Sequence, residues 1–484
     1  MNKPLSQKKQ NNPAVSAIPT DNRAEADVRT LIPVAAIMVL TLLAALFLTK
    51  LSVGIALATV AAFILGVVCF MNPAIGLYIL IFAMLLGPQF GVGDIGGEGA
   101  RGRGLTFRLD DFLLLIIGFS WFLSTAISKE KGLFLKTPLN RYIGYYFIVC
   151  LVSTLIGYMM GRVKGMSGIF FVLKYFEYFI VYYMAVNYLK EKKQMERLVM
   201  TMLLVCFIVC AIAIYQIPSG VRVSAPFEGE RGEPNTLGGY LVLMLSIVLG
   251  FLFHNYGTRG QRFFFGGLVF FILMTLAATL SRSSWLALGP MMFALIWFSK
   301  RKLFAIIPLI LIAVLSIILL PTTVKERALY TFAQRPEAGQ VKIGEVRIDT
   351  STSARLISWQ TILTQDFLKQ PLLGYGITGY SFVDAQYPRV LAETGLLGFF
   401  LFLALMHAIY RNARQTRHLY TEDPFYLGIT TGYLAGFFAM LTHGIGANTF
   451  IIVRIMEPFW FLTAIIIMIP QIAPSPQTGV PVSK

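Results

Sequence analysis

The feature that most constrains this chain is a succession of apolar runs close to 20 residues long, separated by mostly short polar links. A helix of about 20 residues spans the ~30 Å hydrocarbon core of a bilayer and satisfies its own backbone there. Composition agrees: 56% of residues are hydrophobic and 13% charged, where soluble domains carry roughly 25% charge. The reading is an all-α polytopic membrane protein with about 14 transmembrane helices (roughly 12–14) and one large outer loop containing short helices. The expected spans are 31–49, 51–70, 73–90, 109–127, 142–160, 169–189, 198–217, 236–254, 263–280, 284–299, 303–320, 394–410, 425–442 and 449–470. The tight pairs at 31–70 and 263–299 also admit hairpin or re-entrant readings.

These spans set the organisation. Residues 1–30 form a polar tail expected to be disordered and cytoplasmic, 31–320 hold helices 1–11, and 321–393 form the large loop. Residues 394–470 hold helices 12–14, and 471–484 form a second cytoplasmic tail. The 30-residue polar lead is long for a signal peptide and no A-x-A site follows the first run, so that helix is read as retained.

The formal charge of +17 does not point to nucleic acid, because the basic residues lie in short clusters between apolar runs. With the N-terminus placed in the cytoplasm, about 22 Lys and Arg fall inside, among them Lys190, Lys192, Lys193 and Arg411, against about 9 in the short outer loops. That asymmetry puts both termini in the cytoplasm and 321–393 on the outer, periplasmic side. Cys69, Cys150, Cys206 and Cys210 all lie in apolar segments, without a CxxC pair or a Cys/His cluster, which implies neither a disulfide framework nor a metal site.

Polar residues near the outer ends of the spans are the candidates for chemistry. Arg282, in Ser281-Arg282-Ser283-Ser284, sits between two apolar runs, either as a functional charge or as a snorkelling arginine in a turn. The outer loop at 218–235 carries Arg222, Arg231 and then Glu233-Pro234-Asn235-Thr236, where a helix begins. Asn235 there suits a cap, an anion-facing helix end, or both. Lys174 with Glu177 and Arg454 with Glu457 repeat an i, i+3 spacing that suits ion pairs inside the bundle. His443 reads as a helix-end residue at the outer face. Residues 351–369 have the pattern of an amphipathic helix, with Ser and Thr at its start and Arg355 and Trp359 within it. A turn, Pro371-Leu372-Leu373-Gly374-Tyr375-Gly376, follows. The most informative stretch runs from Asp384 through Tyr387 and Glu393 to Gly398, an acidic and aromatic head followed by an apolar stripe and glycines.

Several of these pieces, in order, resemble the O-antigen ligase and Wzy-type polymerase superfamily of bacterial envelope enzymes. They are Pro234-Asn235 before a Gly-Gly-Tyr-Leu run, Ser281-Arg282-Ser283-Ser284-Trp285-Leu286-Ala287-Leu288, Arg355 with Trp359 before Pro371–Gly376, and Leu391-Ala392-Glu393-Thr394-Gly395-Leu396-Leu397-Gly398. The resemblance covers about residues 220–400. It implies a GT-C-like helical fold in a bacterial inner membrane and transfer of a glycan from undecaprenyl pyrophosphate to a sugar hydroxyl at the periplasmic face. It implies no metal and no cofactor. The ligase branch has histidine where this chain has Asp384 and usually asparagine at Ala385, so the Asp-x-x-Tyr form looks more like polymerases of exopolysaccharide or O-antigen repeat units.

On that resemblance Arg282 stabilises the pyrophosphate leaving group and Asp384 serves as base or positioned acceptor for the attacking hydroxyl. Arg222, Arg231, Asn235, Arg355, Tyr387 and Glu393 are the expected substrate contacts. The lipid-linked oligosaccharide and the bilayer are the partners, with a flippase and a chain-length regulator implied beside them. Ligation of finished glycan and a transporter or flippase remain open alternatives. Intramembrane charges are few and no repeat halves are visible, which weighs against a carrier.

Overall fold

The computed structural model describes residues 53–92, 105–127, 135–165, 167–219, 222–226, 232–299, 339–343 and 346–473. The expected spans 31–49 and 303–320, the N-terminal tail and the first part of the long loop lie outside the described residues. The chain divides into two compact units, one ending at Ile64 and one beginning at Leu65. Helix α1 (Val53–Met71) runs across that boundary, and all later elements belong to the second unit.

After α1 come α2 (Pro73–Leu86), an antiparallel hairpin of β1 (Gln89–Val92) and β2 (Leu105–Arg108), α3 (Leu109–Ile127), α4 (Asn140–Met159) and α5 (Ser167–Tyr188). Then follow α6 (Lys192–Gln216), α7 (Pro234–Phe253), α8 (Arg259–Ala278) and α9 (Arg282–Phe298). The described part of the long loop holds a two-residue hairpin, β3 (Lys342–Ile343) with β4 (Val346–Arg347), and α10 (Thr350–Thr361). A π-helical turn (Ile362–Asp366) and a last α-turn (Phe367–Lys369) extend α10. The chain closes with α11 (Gln386–Leu419), α12 (Pro424–Gly446) and α13 (Val453–Ile472). Among the described residues nine helices are long and apolar enough to cross a membrane: α3 to α8 and α11 to α13. The protein is thus an all-α polytopic membrane protein, with two small hairpins that the apolar pattern did not announce.

Helix starts are set by local chemistry. Asp423 caps α12, its carboxylate accepting from the Phe425 and Tyr426 amides, and Pro424 occupies the first turn, where a missing N–H costs nothing. Thr258 and Gln261 form a reciprocal capping box that starts α8 four residues before the expected span. Helix α6 begins at Lys192, six residues early, because its polar first turns continue the apolar helix. The pair expected at 263–280 and 284–299 proves to be two separate helices, α8 and α9, joined by a tight turn in which Leu280 has φ 52°.

Helices α7, α12 and α13 form the centre, with 89%, 83% and 83% of their apolar windows buried, against 33% for α3 and 28% for α8. The outer helices turn Leu115, Phe119, Phe263 and Phe270 outward, as a lipid-facing surface requires. Small residues bring the central helices together. A Cβ at Gly250 of α7 would stand 2.4 Å from the Gly428 carbonyl oxygen of α12, and one at Gly432 would stand 2.6 Å from the Ser246 oxygen. Cys206 and Cys210, both fully buried, pack in the same core.

Helix α11 departs from expectation. A continuous span was expected from residue 394, but Gly395 breaks it at φ 64°, ψ −167°. The motif Pro371–Gly376 supplies the lost main-chain partners. Tyr375 N–H donates to the Ala392 carbonyl and Gly376 N–H to Glu393, both at 2.9 Å. Leu396 and Leu397 N–H return bonds to the Pro371 and Leu372 carbonyls at 2.8 and 3.2 Å. The Ser153 hydroxyl of α4 closes the seam on the Glu393 carbonyl at 2.8 Å. Backbone groups freed by a break in an apolar setting need such partners. A Cβ at Gly395 would lie 2.4 Å from the Leu372 backbone, so only glycine fits.

Candidate functional site

Arg282 is the first residue of α9, not a turn residue. Ser281 is its N-cap, accepting from the Ser284 amide at 3.4 Å. The Ser281 hydroxyl donates to Asn235 Oδ1 at 2.7 Å, which ties the start of α9 to the start of α7. Glu233, not Asn235, is the N-cap residue of α7, so Asn235 acts across helices instead. From Ser284 Oγ the chain continues to His443 Nε2 at 3.2 Å, and from His443 Nδ1 to Thr449 Oγ1 at 2.7 Å. His443 is 0% exposed in the last turn of α12, buried where an interfacial residue was expected. A run of hydrogen bonds thus lies directly under Arg282 and fixes α7, α9 and α12 at one end of the bundle.

The guanidinium of Arg282 meets Asp349 end to end, Nη1 on Oδ1 and Nη2 on Oδ2, both at 2.8 Å. Asp349 is also the N-cap of α10, accepting from the Thr352 amide at 3.3 Å. Its side chain is 1% exposed and that of Arg282 is 21% exposed. Burial pushes the Asp349 carboxyl up, but the Arg282 fork and the Thr352 contacts outweigh it and hold the group below its ordinary value. Sequence reading passed over Asp349. Its signal was the Asp before Thr350-Ser351-Thr352-Ser353, an N-cap pattern that gave its place but not its partner.

Arg355, within α10, makes a second pair. Its Nη2 bonds Asp384 Oδ2 at 2.6 Å, its Nε bonds the Asp384 carbonyl at 3.3 Å, and its Nη1 bonds Ser351 at 3.1 Å. Asp384 is 37% exposed, far more open than Asp349. Ala385 is the N-cap position of α11 and makes no side-chain cap bond, so Asp384 does not cap that helix. Both arginine pairs thus engage α10, one at its N-cap and one within the helix.

The remaining expected contacts divide. Tyr387 donates its hydroxyl to the Leu441 carbonyl at 2.5 Å and lines an apolar cavity of about 720 Å³. That cavity lies between α10, α11 and α12, with Trp359, Leu363, Leu391, Phe399 and Phe438 on its walls. Glu393 turns inward: it pairs with Arg389 at 3.0 Å, accepts from the Thr378 amide at 3.3 Å, and is 6% exposed. Its position is that of a brace for the broken helix. Arg222 reaches the Thr279 and Leu280 carbonyls at 3.1 and 3.3 Å and holds the turn between α8 and α9. Arg231 lies outside the described residues.

Chemically, the arrangement offers two guanidinium groups, the first turns of α7, α9 and α10, and a partly open carboxylate, while Trp359 of α10 and Tyr387 of α11 line an apolar cavity. Guanidinium forks and helix N-termini are the protein groups that hold phosphate. No curated protein matches the chain. The family model described as O-antigen ligase matches residues 266–403, the segment that carries Arg282, Asp349, Arg355 and Asp384, and this is consistent with a membrane enzyme of the O-antigen ligase and Wzy-type superfamily.

Proposed function

We propose that the chain is a polymerase of lipid-linked oligosaccharide repeat units, moving a glycan from undecaprenyl pyrophosphate to an acceptor sugar hydroxyl at the periplasmic face. The observation that carries this reading is the pairing of Arg282 with Asp349 and Arg355 with Asp384 along α10, the helix whose Trp359 lines the apolar cavity. A pyrophosphate needs paired donors, a polyprenyl tail needs an apolar groove, and an attacking hydroxyl needs a carboxylate within reach.

The two pairs suit different steps. The Asp384 carboxylate is held by one Arg355 nitrogen and stands partly in water. A donor pyrophosphate that draws Arg355 away would leave Asp384 unpaired and able to accept the hydroxyl proton. Arg282, fixed by its buried partner, would meet the negative charge that grows on the leaving phosphate as the glycosidic bond breaks. The transition state has oxocarbenium character, as in glycoside hydrolysis. The acceptor oxygen forms the new bond, the pyrophosphate departs with the bonding electrons, and the hydroxyl proton goes to Asp384. In this reading both termini are cytoplasmic and the loop around α10 is periplasmic.

Chain growth from a lipid-linked repeat unit tests the assignment. Asp384→Asn should lower the rate by about 10²–10⁴-fold at normal membrane levels. Arg282→Lys should rescue poorly, since a point charge lacks the planar fork. Near-normal polymer from Asp384→Asn would remove the carboxylate from the chemistry, and full activity of Arg282→Lys would remove the paired-donor argument.

A further inference from the structure

The pair at Arg282 differs from an ordinary surface bridge in three ways. Both guanidinium Nη atoms are engaged at 2.8 Å, the carboxylate is 1% exposed, and the same carboxylate starts a helix. Asp349 is fixed from the loop side as well. Ile348 N–H bonds the Val341 carbonyl at 3.0 Å, and the Ser353 hydroxyl bonds the Ile348 carbonyl at 3.1 Å while accepting from the Val341 amide at 2.9 Å. These contacts knit the β3–β4 hairpin and the first turn of α10 into one unit. The carboxylate projecting from that unit therefore has little freedom, and it hands its rigidity to the guanidinium that it grips.

Arg282 is rooted in α9, and Arg355 sits six positions beyond Asp349 on α10. Asp349 touches the first by its side chain and sets the start of the helix that carries the second. We propose that Asp349 is a positioning residue that orients Arg282 and registers α10 so that the two arginines face one diphosphate group. The proposal rests on the phosphate-binding reading given above and adds to it the part that prepares the site. A long arginine side chain left alone samples many rotamers, and anion binding must then order it; a preformed fork avoids that ordering.

Electrostatics and positioning predict opposite signs here. Removing a carboxylate beside an anion site tightens anion binding if charge alone matters. Removing a positioning group weakens it. The test uses purified full-length protein with inorganic pyrophosphate as the probe, its affinity read from the shift of the thermal midpoint. Asp349→Asn keeps an oxygen to cap α10 but loses the charged fork. It should weaken pyrophosphate binding by about tenfold or more, with the unliganded protein still folded. Unchanged or tighter binding in that variant overturns the proposal.

Should Asp349→Asn fail to fold, the exchange Arg282→Asp with Asp349→Arg restores an ion pair between α9 and α10. It should recover the folded protein without recovering pyrophosphate affinity, because the cation then projects from the wrong helix. Recovery of wild-type affinity in the exchange overturns the proposal as well. If wild-type protein shows no pyrophosphate binding, or Arg282→Ala binds as wild type does, the phosphate reading itself fails, a result separate from a failure at Asp349 alone.

Discussion

Two groups of ionisable residues occupy the same end of the bundle and are built in opposite ways. One is sealed. Arg108 at the end of β2, Asp110 and Asp111 at the start of α3, Lys174 and Glu177 on α5, and Glu457 on α13 meet in the interior, with Arg454 buried on the same helix as Glu457. Arg454 is 2% exposed and Glu457 is 0% exposed. The other group, Arg282, Asp349, Arg355 and Asp384, borders the outer loop, and three of its four side chains keep 20% exposure or more. In the sealed group Arg454 donates to backbone carbonyls of Leu85, Pro226 and Gly87 at 3.3, 2.9 and 3.0 Å, tying the end of α2 and the approach to α7 onto α13. The comparison teaches that charge count does not mark a site in such a protein. Charges whose partners are main-chain carbonyls from several segments hold the fold. A charge pair open to water at the rim, such as Arg355 with Asp384, can exchange a partner.

The largest effect that would break the comparison is in the sealed group. Arg454→Ala leaves three buried carbonyls without their cation, and truncating one member of a buried charge network costs about 3–5 kcal/mol. The expected outcome is loss of folded protein, read as yield of monodisperse protein in detergent. Arg355→Ala, whose partner Asp384 is 37% exposed, should keep that yield and lose activity. A stable, active Arg454→Ala would show that the two groups do not differ in kind.

A smaller effect is expected at the seam between them. Gly395→Ala places a Cβ against the Leu372 backbone at positive φ, and backbone strain of that sort costs on the order of 1–3 kcal/mol. Faster amide exchange at Tyr375, Gly376, Leu396 and Leu397 is the expected sign. Unchanged exchange there would mean that the seam is not under tension from both sides.

The smallest effect is a pH dependence confined to the rim. The Asp349 pKa is depressed in the folded protein. Its pair with Arg282 therefore contributes stability that is fully present above the unfolded value, about 3.9, and is lost as pH falls through the lower folded value. The difference in thermal midpoint between wild type and Asp349→Asn should stay constant from neutral pH down to about 4 and narrow only below that. A difference that stays constant through the whole acid range would sharpen the comparison against Asp349, since a carboxyl with no effective hold on Arg282 titrates alike in the folded and unfolded chain.

What could be read from the sequence follows a physical line. Apolar length is a property of contiguous residues, so most spans were legible, as was the amphipathic helix that carries Arg355. Arg282, Arg355 and Asp384 were legible because their neighbours in sequence form motifs. Pairings across the bundle were not. The i, i+3 spacing of Lys174 and Glu177 does give an ion pair, at 3.2 Å. At Arg454 and Glu457 other partners enter: Arg454 donates to carbonyls, and Glu457 lies 3.9 Å from Arg108. Spacing shows which residues can meet, while packing decides whether a stronger partner arrives from elsewhere. The break at Gly395 was hidden for the same reason, since its cause is a main-chain partner some twenty residues earlier in the chain.

The seam that joins Pro371–Gly376 to Ala392–Leu397 is made of amides and carbonyls. Bonds of that kind do not sense the side chains of the residues that form them, glycine positions excepted. The stretch from Ile377 to Ala385, which carries Asp384, hangs between these moorings, with further holds where Glu393 takes the Thr378 amide, Asn448 the Val383 carbonyl and Arg355 the Asp384 carboxylate. The first two of those holds also reach main chain, so a side-chain change at Asp384 would alter the rim of the site while both moorings and the membrane helices behind them stay as they are.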